Sequence, residues 1–534
     1  MNRKLLVMPA LLGLATLPLA GCGSGGGSGG GGRPIVVGTT DVFQMSKDDP
    51  APFDPATAYD IESWNIFSNT YQTLLRLPRS GTDPQPEAAK ECHFSDSQGE
   101  QYRCTLRSGL TFSNGRKITS QDVKFSIDRV RRINDPNGPA NLLSNLDTVE
   151  TPDPSTVVFH LSGPDSTFPF KLATPAADIV DSQEYGATKA HAGYSVVGSG
   201  PYTLASFTPG KSAVFSRNSR YKGSLKINNS KIELRFFTSS ASMMKALRAG
   251  SIDVMSRTMS PAQINDLADG ADPEIKLTEA PGTEIRYLVF NTADPTVGKL
   301  AVRKAVADLV DRQTLTHDVY QRTTTPLYSL VPQGITGHTN AFFNAYGDQP
   351  NLAAARRVLD QAGIDTPVPL TLSYTTNHYG EATAPEFTML KDELESGGLF
   401  RVTLQGMADW NAYKSAYRAH KLQVFGMGWF PDFPDPDNYI APFFGNDDFL
   451  NLAYVNPQIR DQIIPGTRQK TARSGAVADF EQAQQDIARD VPIVPLWQGK
   501  QYIAARSDIT GTEWALNASS TTQFWELGRG VATN

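Results

Sequence analysis

The chain has 534 residues, of which 40% are hydrophobic and 19% charged, a balance typical of a soluble globular protein and not of a disordered or polytopic membrane chain. At roughly 150 residues a domain, this length predicts two to four domains. The net charge of −6 argues against broad binding to the phosphate backbone of nucleic acids. Three cysteines are too few for a disulfide scaffold or for a zinc site built from paired cysteines.

The N-terminal segment predicts export. Arg3 and Lys4 form a basic region ahead of an apolar stretch, Leu5–Leu19, which prolines and a glycine interrupt. Because this stretch is too short and too broken to span a membrane comfortably, it is typical of a secretory signal peptide covering residues 1–21. The alternative is a buried N-terminal helix, which would have to pack a long apolar run inside the fold.

The apolar run ends in Leu19-Ala20-Gly21-Cys22, which resembles the lipobox of bacterial lipoproteins. The resemblance implies that Cys22 is acylated, with palmitate among the chains, and becomes the new N-terminus after cleavage. Two or more acyl chains give a stable membrane anchor. Residues 23–32 contain only Gly and Ser, so 22–32 predicts a lipidated cysteine with a flexible tether. We therefore expect a bacterial protein on the extracellular face of the cell membrane, or on its periplasmic side in a Gram-negative cell.

The other two cysteines, Cys92 and Cys104, have 11 residues between them. The polar turn residues Ser95–Gly99 lie in this interval, as in a hairpin. Export would bring the segment into an oxidising compartment. We therefore predict a disulfide between Cys92 and Cys104, with two free buried thiols as the alternative.

Helices and strands alternate along the rest of the chain. Thr119 begins a helix with a capping pattern, and the inward face of this helix carries Val123, Ile127 and Val130. The other predicted helices are marked by Ser240 as cap with Met244 and Leu247, by Val302, Val306 and Leu309, by Leu352, Ala355, Leu359 and Ala362, and by Val477, Phe480 and Ile487. The predicted strands are Ile35–Gly38, Thr156–Leu161, Lys231–Phe237, Arg286–Asn291, Leu370–Tyr374, Leu422–Gly426 and Ile493–Trp497. This alternation predicts an α/β class with mixed sheets.

Motifs for catalysis, metals and cofactors are missing from the sequence. The seven histidines have no metal-ligand spacing, and there is no HExxH. Gly210-Lys211-Ser212 resembles the end of a phosphate loop, but position 205 is Ala where that motif needs Gly. We therefore expect no catalytic residue, metal or cofactor, with a secreted hydrolase as the remaining enzyme alternative.

Several segments, spread over most of the chain, occur in an order shared with one known family. They are Asp54-Pro55 with Tyr71–Leu75, Leu106–Gly115 with Ile118–Val123, Phe125–Ile127 with Arg129, Val197–Tyr202, Phe290-Asn291 with Val302–Ala305 and Asp311-Arg312, Ala355–Gly363, and Gly428–Pro436. The set resembles the extracellular solute-binding proteins of family 5, which serve ABC importers of oligopeptides, dipeptides, nickel and some oligosaccharides. Ser199 departs from the family pattern, where Thr is usual. Most of these residues are expected to serve the fold, as turns and helix caps.

The resemblance implies an α/β fold of the periplasmic-binding-protein-like type II, with two lobes around a ligand cleft plus an extra α/β domain. Lobe one would comprise residues 33–70, 194–282 and 495–534, the extra domain residues 71–193, and lobe two residues 283–494. Two strands that cross between the lobes would form the hinge. The ligand would stabilise the closed form, because only that form contacts the ligand from both sides.

The resemblance also implies a ligand site. In family members that bind peptides, an Asp in the segment matching Gly428–Pro436 pairs with the ammonium group of the ligand, and Asp432 is the matching residue. The alternative is that this loop, rich in Pro and Asp, simply caps turns. The aromatic neighbours Trp429, Phe430 and Phe433 either floor a pocket or belong to the core. Weaker candidates for lining the cleft are Trp410, Tyr374, Thr40 and Val42.

The sequence therefore favours a lipid-anchored, monomeric receptor without enzyme activity. It would capture oligopeptides or dipeptides and deliver them to the transmembrane subunits of an ABC permease. An oligosaccharide, another solute, or a nickel or metal chelate held by the same fold is the alternative. No arginine is assigned to the ligand carboxylate from the sequence, so the length of the ligand stays open.

Overall fold

The computed structural model describes residues 33–43, 45, 50–79, 81–376, 378–446 and 448–530. The predicted signal peptide, Cys22 and the tether lie outside these residues. Among the residues that the structure describes, no helix is long and apolar enough to cross a membrane.

Strands form the framework of the described part of the chain. In chain order they are β1 (Ile35–Thr39), β2 (Leu75–Arg76), β3 (Gln85–Pro86), β4 (Ala89–Phe94), β5 (Gln101–Leu106), β6 (Leu146–Asp153), β7 (Thr156–Leu161), β8 (Tyr202–Thr208), β9 (Ser212–Arg217), β10 (Lys231–Phe236), β11 (Val254–Ser256), β12 (Ile275–Phe290), β13 (Thr324–Pro326), β14 (Val368–Thr375), β15 (Phe400–Met407), β16 (Val424–Trp429), β17 (Ile493–Arg506), β18 (Ile509–Thr510) and β19 (Gly528–Arg529).

Helices fill the intervals between the strands. They are α1 (Ile61–Thr70), α2 (Ser120–Ile133), α3 (Phe168–Lys171), α4 (Ser240–Arg248), α5 (Pro261–Ala268), α6 (Leu300–Leu309), α7 (Arg312–Thr314), α8 (Ala341–Tyr346), α9 (Leu352–Gln361), α10 (Thr383–Glu395), α11 (Trp410–Arg418), α12 (Asp437–Phe444), α13 (Ile464–Arg468) and α14 (Val477–Asp490). Short 3₁₀ turns cover Ala140–Leu143, Pro175–Ala177, Arg473–Ala476, Thr512–Trp514 and Phe524–Glu526, and π turns cover Leu315–Val319 and Ile459–Ile463.

A mixed 11-stranded sheet runs through the molecule in the order β15-β14-β16-β12-β17-β11-β1-β10-β9-β8, with β13 attached to β17. Its two long central strands, β12 and β17, pair antiparallel from Ile275 opposite Arg506 to Val289 opposite Ile493. The register shifts between Pro281 and Ile285, so the ladder is interrupted near its middle. These two strands are therefore the continuous connection between the two ends of the sheet.

The buried apolar residues form separate clusters on either side of that interruption. The largest cluster takes Ile285 and Trp497 from the long strands, together with β14, β16 and the helices around them. A smaller cluster takes Ile275 and Ala504 from the other ends of the same strands, next to α4. A further cluster lies on the β1 side of the sheet. The long strands thus pass from one hydrophobic core to another.

A second, smaller sheet has the antiparallel order β4-β5-β7-β6 and packs with α2 over a core of its own. Cys92 and Cys104 face each other on β4 and β5 and form the disulfide that the sequence predicted. Helix α2 begins as predicted, because the Asp122 carboxylate accepts a hydrogen bond from the Thr119 N–H at 3.0 Å.

The predicted elements agree with the structure in type and differ at their ends. The helix predicted to be capped by Ser240 is capped instead by Ser239, whose hydroxyl accepts from the Ser242 N–H. Leu352, predicted to face inward from α9, is 40% exposed because it lies at the first position of the helix. The strand predicted over Arg286–Asn291 corresponds to the C-terminal part of β12. The strand predicted over Ile493–Trp497 corresponds to the N-terminal part of β17.

The shared family segments serve the fold at several positions. Asp54 and Arg129 form a fully buried pair with two hydrogen bonds of 2.7 and 2.6 Å. Side chains at Gly198 and Gly200 would overlap the backbone of Thr70, so glycine is required for this close approach. These residues hold the extra sheet and the β1 side of the main sheet together.

Candidate functional site

Three adjoining cavities lie beside the long strands, and we name each by its lining. The arginine cavity has a volume of about 180 Å³ and contains Arg257 and Arg286. The carboxylate cavity, about 90 Å³, contains Tyr59 and Asp432. The tryptophan cavity, about 80 Å³, contains Trp64 and Trp525. The first two cavities share His378, Tyr379 and Phe430, and the last two share Trp64, Asp432 and Ser519, so the three form a continuous row.

The arginine cavity is lined from both halves of the sheet. One wall is formed by the segment after β11 and by the C-terminal half of β17. The other wall is formed by the C-terminal part of β12 and by the 378–382 loop. Four of its lining residues carry buried polar atoms with no hydrogen-bond partner among the described residues: Arg286 Nε, Thr324 Oγ1, Gln501 Oε1 and Ser520 Oγ. An unpaired buried polar group costs about 1–3 kcal/mol, and a hydrogen bond to a molecule in the cavity would offset that cost.

Arg286 is held in place by aromatic rings. Its guanidinium carbon lies 4.1 Å from the ring centroid of Tyr379, 5.1 Å from that of Trp497 and 5.3 Å from that of Phe430. Glu284 forms an ion pair with the same guanidinium. Arg286 lies opposite Gly428 in the β12–β16 ladder, and a side chain at Gly428 would overlap Nη1 of Arg286. The glycine of this family segment therefore makes room for the cation.

Arg257 is the second cation of this cavity, and its charge is balanced by acids. Its guanidinium pairs with Asp41 at 2.9 Å and with Glu62 at 3.6 Å. Burial disfavours the charged form, but these carboxylates outweigh it and raise the pKa of Arg257. Arg257 and Thr258 both have left-handed backbones, with φ of 62° and 52°. Such strain in non-glycine residues is typical of functional sites.

Asp432 lies in the wall between the carboxylate and tryptophan cavities. Its Oδ2 accepts hydrogen bonds from the Tyr59 hydroxyl and from Asn438 Nδ2, both at 2.7 Å. The Asp432 N–H donates to Asn438 Oδ1 at 2.8 Å, and its carbonyl accepts from Ser519 Oγ at 2.9 Å. Burial raises the pKa of Asp432 to about 7, against the two bonds to Oδ2, which lower it. Oδ1 accepts no hydrogen bond from the described residues and is the acceptor that a ligand can use.

His378 and Trp410 also line the carboxylate cavity, together with Asp432. Their rings stack at 3.9 Å between centroids with an interplanar angle of 6°. Burial, together with the nearby cations Arg257, Arg286 and Lys414, lowers the pKa of His378 well below its ordinary value. His378 therefore presents a neutral imidazole at neutral pH.

The residues predicted from the sequence are distributed unevenly around these cavities. Trp429, Phe430, Trp410 and Asp432 line the carboxylate cavity, and Phe430 also lines the arginine cavity. The remaining ones line none of the three: Phe433 stacks on Phe170 at 5.5 Å, Tyr374 stacks on Phe387 at 4.7 Å, Thr40 bonds the Thr258 hydroxyl at 2.5 Å, and Val42 is 68% exposed.

Sequence reasoning missed Arg257, Arg286 and Tyr59, and also Asp178, which lines the tryptophan cavity. None of them belongs to a recognisable local motif, since they come together only through pairing of distant strands and loops. Gly428 was the available signal, because a glycine inside a buried strand marks the close approach of another group. In the loop rich in Pro and Asp, Asp435 does cap a turn, since its Oδ1 accepts a hydrogen bond from the Asp437 N–H at 2.8 Å. Asp435 and Asp437 also form ion pairs with Arg473 and Arg468. No group of three or more metal-ligating side chains occurs within the residues that the structure describes.

Comparisons with known proteins agree with this architecture. The family model of bacterial extracellular solute-binding proteins, family 5 (middle region), matches residues 83–451. The chain is 25% identical over 480 residues to the probable D,D-dipeptide-binding periplasmic protein DdpA of Escherichia coli, which covers 87% of this chain and 89% of that protein. The relatives found are substrate-binding transport proteins and not enzymes.

Solved structures show the same fold. The murein tripeptide binding protein MppA of Escherichia coli superimposes with a TM-score of 0.80 at 18% identity, covering 93% of this chain and 98% of the other. The dipeptide binding protein of Pseudoalteromonas sp. SM9913, in complex with Met-Leu, gives a TM-score of 0.80 at 18% identity, with 93% and 100% covered. The predicted type II fold, with two lobes, a cleft and an extra α/β domain, is therefore confirmed.

Proposed function

Because the chain belongs to the bacterial extracellular solute-binding proteins of family 5, we propose that it is a receptor that captures oligopeptides or dipeptides and delivers them to an ABC permease. The names of the relatives support this choice of ligand, since they include dipeptide- and tripeptide-binding proteins. The observation that carries the proposal is the row of three cavities, with the carboxylate of Asp432 in a shared wall.

Asp432 is proposed to hold the ammonium group of the peptide. A buried ammonium needs an anionic or hydrogen-bonding partner, and Oδ1 of Asp432 supplies one through a charge-assisted hydrogen bond. Tyr59 and Asn438 fix the carboxylate through Oδ2, so the free oxygen is oriented before the ligand arrives. Such preorganisation lowers the entropy lost on binding.

The rest of the peptide is proposed to extend through the carboxylate cavity into the arginine cavity. There the unpaired Gln501 Oε1 and Ser520 Oγ support bonding to the peptide backbone. The unpaired Nε of Arg286 supports bonding to a carbonyl or to the carboxylate terminus. Backbone bonding of this kind gives affinity that does not depend on the side chains of the ligand.

The lobe boundaries predicted above are proposed for this chain as well. They are 33–70, 194–282 and 495–534 for lobe one, 71–193 for the extra domain and 283–494 for lobe two. The separate hydrophobic cores on the two ends of β12 and β17 support this division. The interrupted register between Pro281 and Ile285 supports a hinge at that level.

Attachment to the membrane is proposed through acylated Cys22 and the Gly/Ser tether. The proposal depends on the lipobox-like Leu19-Ala20-Gly21-Cys22 sequence. Mass spectrometry of the N-terminal fragment from the native host would detect the acyl chains. An unmodified Cys22 in the exported protein would contradict the anchor.

Native mass spectrometry of the purified full chain, before and after mild denaturation, tests the ligand class. We expect a mixture of peptide masses that leave the protein on denaturation. A ladder of hexose masses, or a metal chelate, would instead identify one of the alternative ligands and overturn the peptide proposal.

A further inference from the structure

Besides Asp432, two carboxyl groups that the proposed function does not use line the tryptophan cavity, those of Glu87 and Asp178. Asp178 lines this cavity and is 3% exposed. Its Oδ2 has no hydrogen-bond partner among the described residues, and Trp525 Nε1, in the same lining, also has none. A buried polar atom without a partner costs free energy, and a donor that enters the cavity and reaches this carboxyl would offset that cost.

The groups around Asp178 do not neutralise it. Arg76 is a cation of the same lining, but its Nε donates to Ser224 Oγ at 2.9 Å and lies 3.7 Å from Glu87. Glu87 is itself engaged by Gln72 Nε2 at 3.0 Å. Burial raises the pKa of Asp178 well above its ordinary value, and no neighbouring charge opposes this shift. The ligand-free cavity therefore holds a carboxyl whose ionised form lacks a counter-ion.

We propose that the tryptophan cavity accepts an amino-bearing first side chain of the bound peptide and that Asp178 is the counter-ion of this amine. The assignment to the first residue rests on the proposed function, because Asp432, the ammonium ligand, lies in the wall of this cavity. Because Asp432 lines both the carboxylate and the tryptophan cavities, a side chain on the carbon next to that ammonium would begin beside the two cavities. The cavity volume of about 80 Å³ is several times the roughly 10–15 Å³ that one water molecule needs on the same measure, so the cavity has room for a short side chain.

Calorimetry with two matched peptides tests the proposal on the full chain. Ornithine-Ala-Ala and norleucine-Ala-Ala have first side chains of equal length, which end in an ammonium and a methyl group. We expect the wild type to prefer the ornithine peptide by at least about tenfold, the value of one charge-assisted hydrogen bond. Asp178→Asn, which keeps the shape of the side chain, should remove this preference and leave the norleucine peptide within about threefold of its wild-type affinity.

Equal affinity of the wild type for both peptides would overturn the proposal and leave the cavity as a water site. A preference that persists in Asp178→Asn would overturn it as well. The variant Asp432→Asn distinguishes failure of this proposal from failure of the proposed function. If the proposed function holds, Asp432→Asn should weaken the binding of both peptides by the same factor, whatever the role of Asp178. The wild-type comparison does not depend on the variant, so it holds if Asp178→Asn fails to fold.

A second measurement does not require peptide binding. Propylammonium chloride is titrated into the full chain with ¹³C-labelled aspartate, and the Asp178 carboxyl resonance is assigned by its absence in Asp178→Asn. A shift toward the ionised value on addition of the amine supports the cation site. A resonance that does not move contradicts the site, even where neither peptide binds and the proposed function has already failed.

Discussion

Replacing Asp432 with asparagine removes a negative charge from the proposed ligand site while keeping the shape of the side chain. The amide oxygen can still accept the hydrogen bonds that Tyr59 and Asn438 donate at 2.7 Å. The amide nitrogen takes the position of Oδ1 and presents hydrogens to the peptide ammonium. The substitution therefore tests the charge and acceptor role of Asp432 and not the packing around it.

The expected loss follows from the energy of one charge-assisted hydrogen bond. Such a bond contributes about 1.5–3 kcal/mol, and each 1.4 kcal/mol corresponds to about tenfold in affinity. We therefore expect Asp432→Asn to weaken the binding of tri-alanine by about 10- to 100-fold. Tyr59→Phe removes one orienting donor but leaves the charge, so its effect should be smaller, about threefold to tenfold.

Isothermal titration calorimetry of the wild type and both variants measures these changes. Asp360→Asn, on the exposed face of α9, is the matched control because it makes the same chemical change away from the three cavities. Thermal melting checks that each variant is folded. Tri-alanine affinity in Asp432→Asn equal to that of the control would refute the assignment of Asp432 to the ligand.

Three further results are expected. Gly428→Ala should displace the guanidinium of Arg286, lower the melting temperature and weaken the binding of tri-alanine by about tenfold. Unchanged calorimetric affinity of the folded variant would remove Arg286 from the site. Burial holds the pKa of Asp432 at about 7 without ligand, and pairing with an ammonium lowers it, so affinity for tri-alanine should fall by up to about tenfold per pH unit below about pH 7. Affinity should be highest between about pH 7 and about pH 8 and fall again at higher pH, because the α-amino group of the peptide has a pKa of about 8 and then loses its charge. Calorimetry from about pH 8 to about pH 5 that gives a flat profile would contradict this. Replacing Cys92 and Cys104 together by alanine should lower the free energy of unfolding, measured in urea, by about 3 kcal/mol and leave peptide affinity unchanged. Equal stability of the variant and the wild type would show that the disulfide does not constrain the unfolded chain.

The sequence predicts the local elements well because local signals determine them. The capping pattern at Thr119 and the spacing of Val123, Ile127 and Val130 identify α2 without any tertiary information. The hairpin between Cys92 and Cys104 is likewise a local feature. Where the signal is local, the type of the element agrees with the structure, and its ends differ by about three residues at most, as for the strand predicted over Leu422–Gly426 and observed over Val424–Trp429.

The long strands and the arginine site could not be predicted in the same way. Pro281 and Gly282 interrupt the strand pattern of β12, and only pairing with β17 keeps this segment extended. Arg286 and Gly428 are far apart in sequence and meet through the β12–β16 register. Asp178 gives no signal at all from its neighbours, because its significance lies in the absence of a partner within the folded cavity.

The central claim is that the ammonium group of a peptide pairs with Asp432. Its most direct test is a calorimetric cycle with tri-alanine and N-acetyl-tri-alanine on the wild type and Asp432→Asn. Acetylation of the peptide should lower the affinity of the wild type by at least about tenfold. It should lower the affinity of Asp432→Asn only slightly, because the substitution has already removed the interaction that acetylation removes. An equal loss on acetylation in both proteins, or no loss in the wild type, would contradict the account.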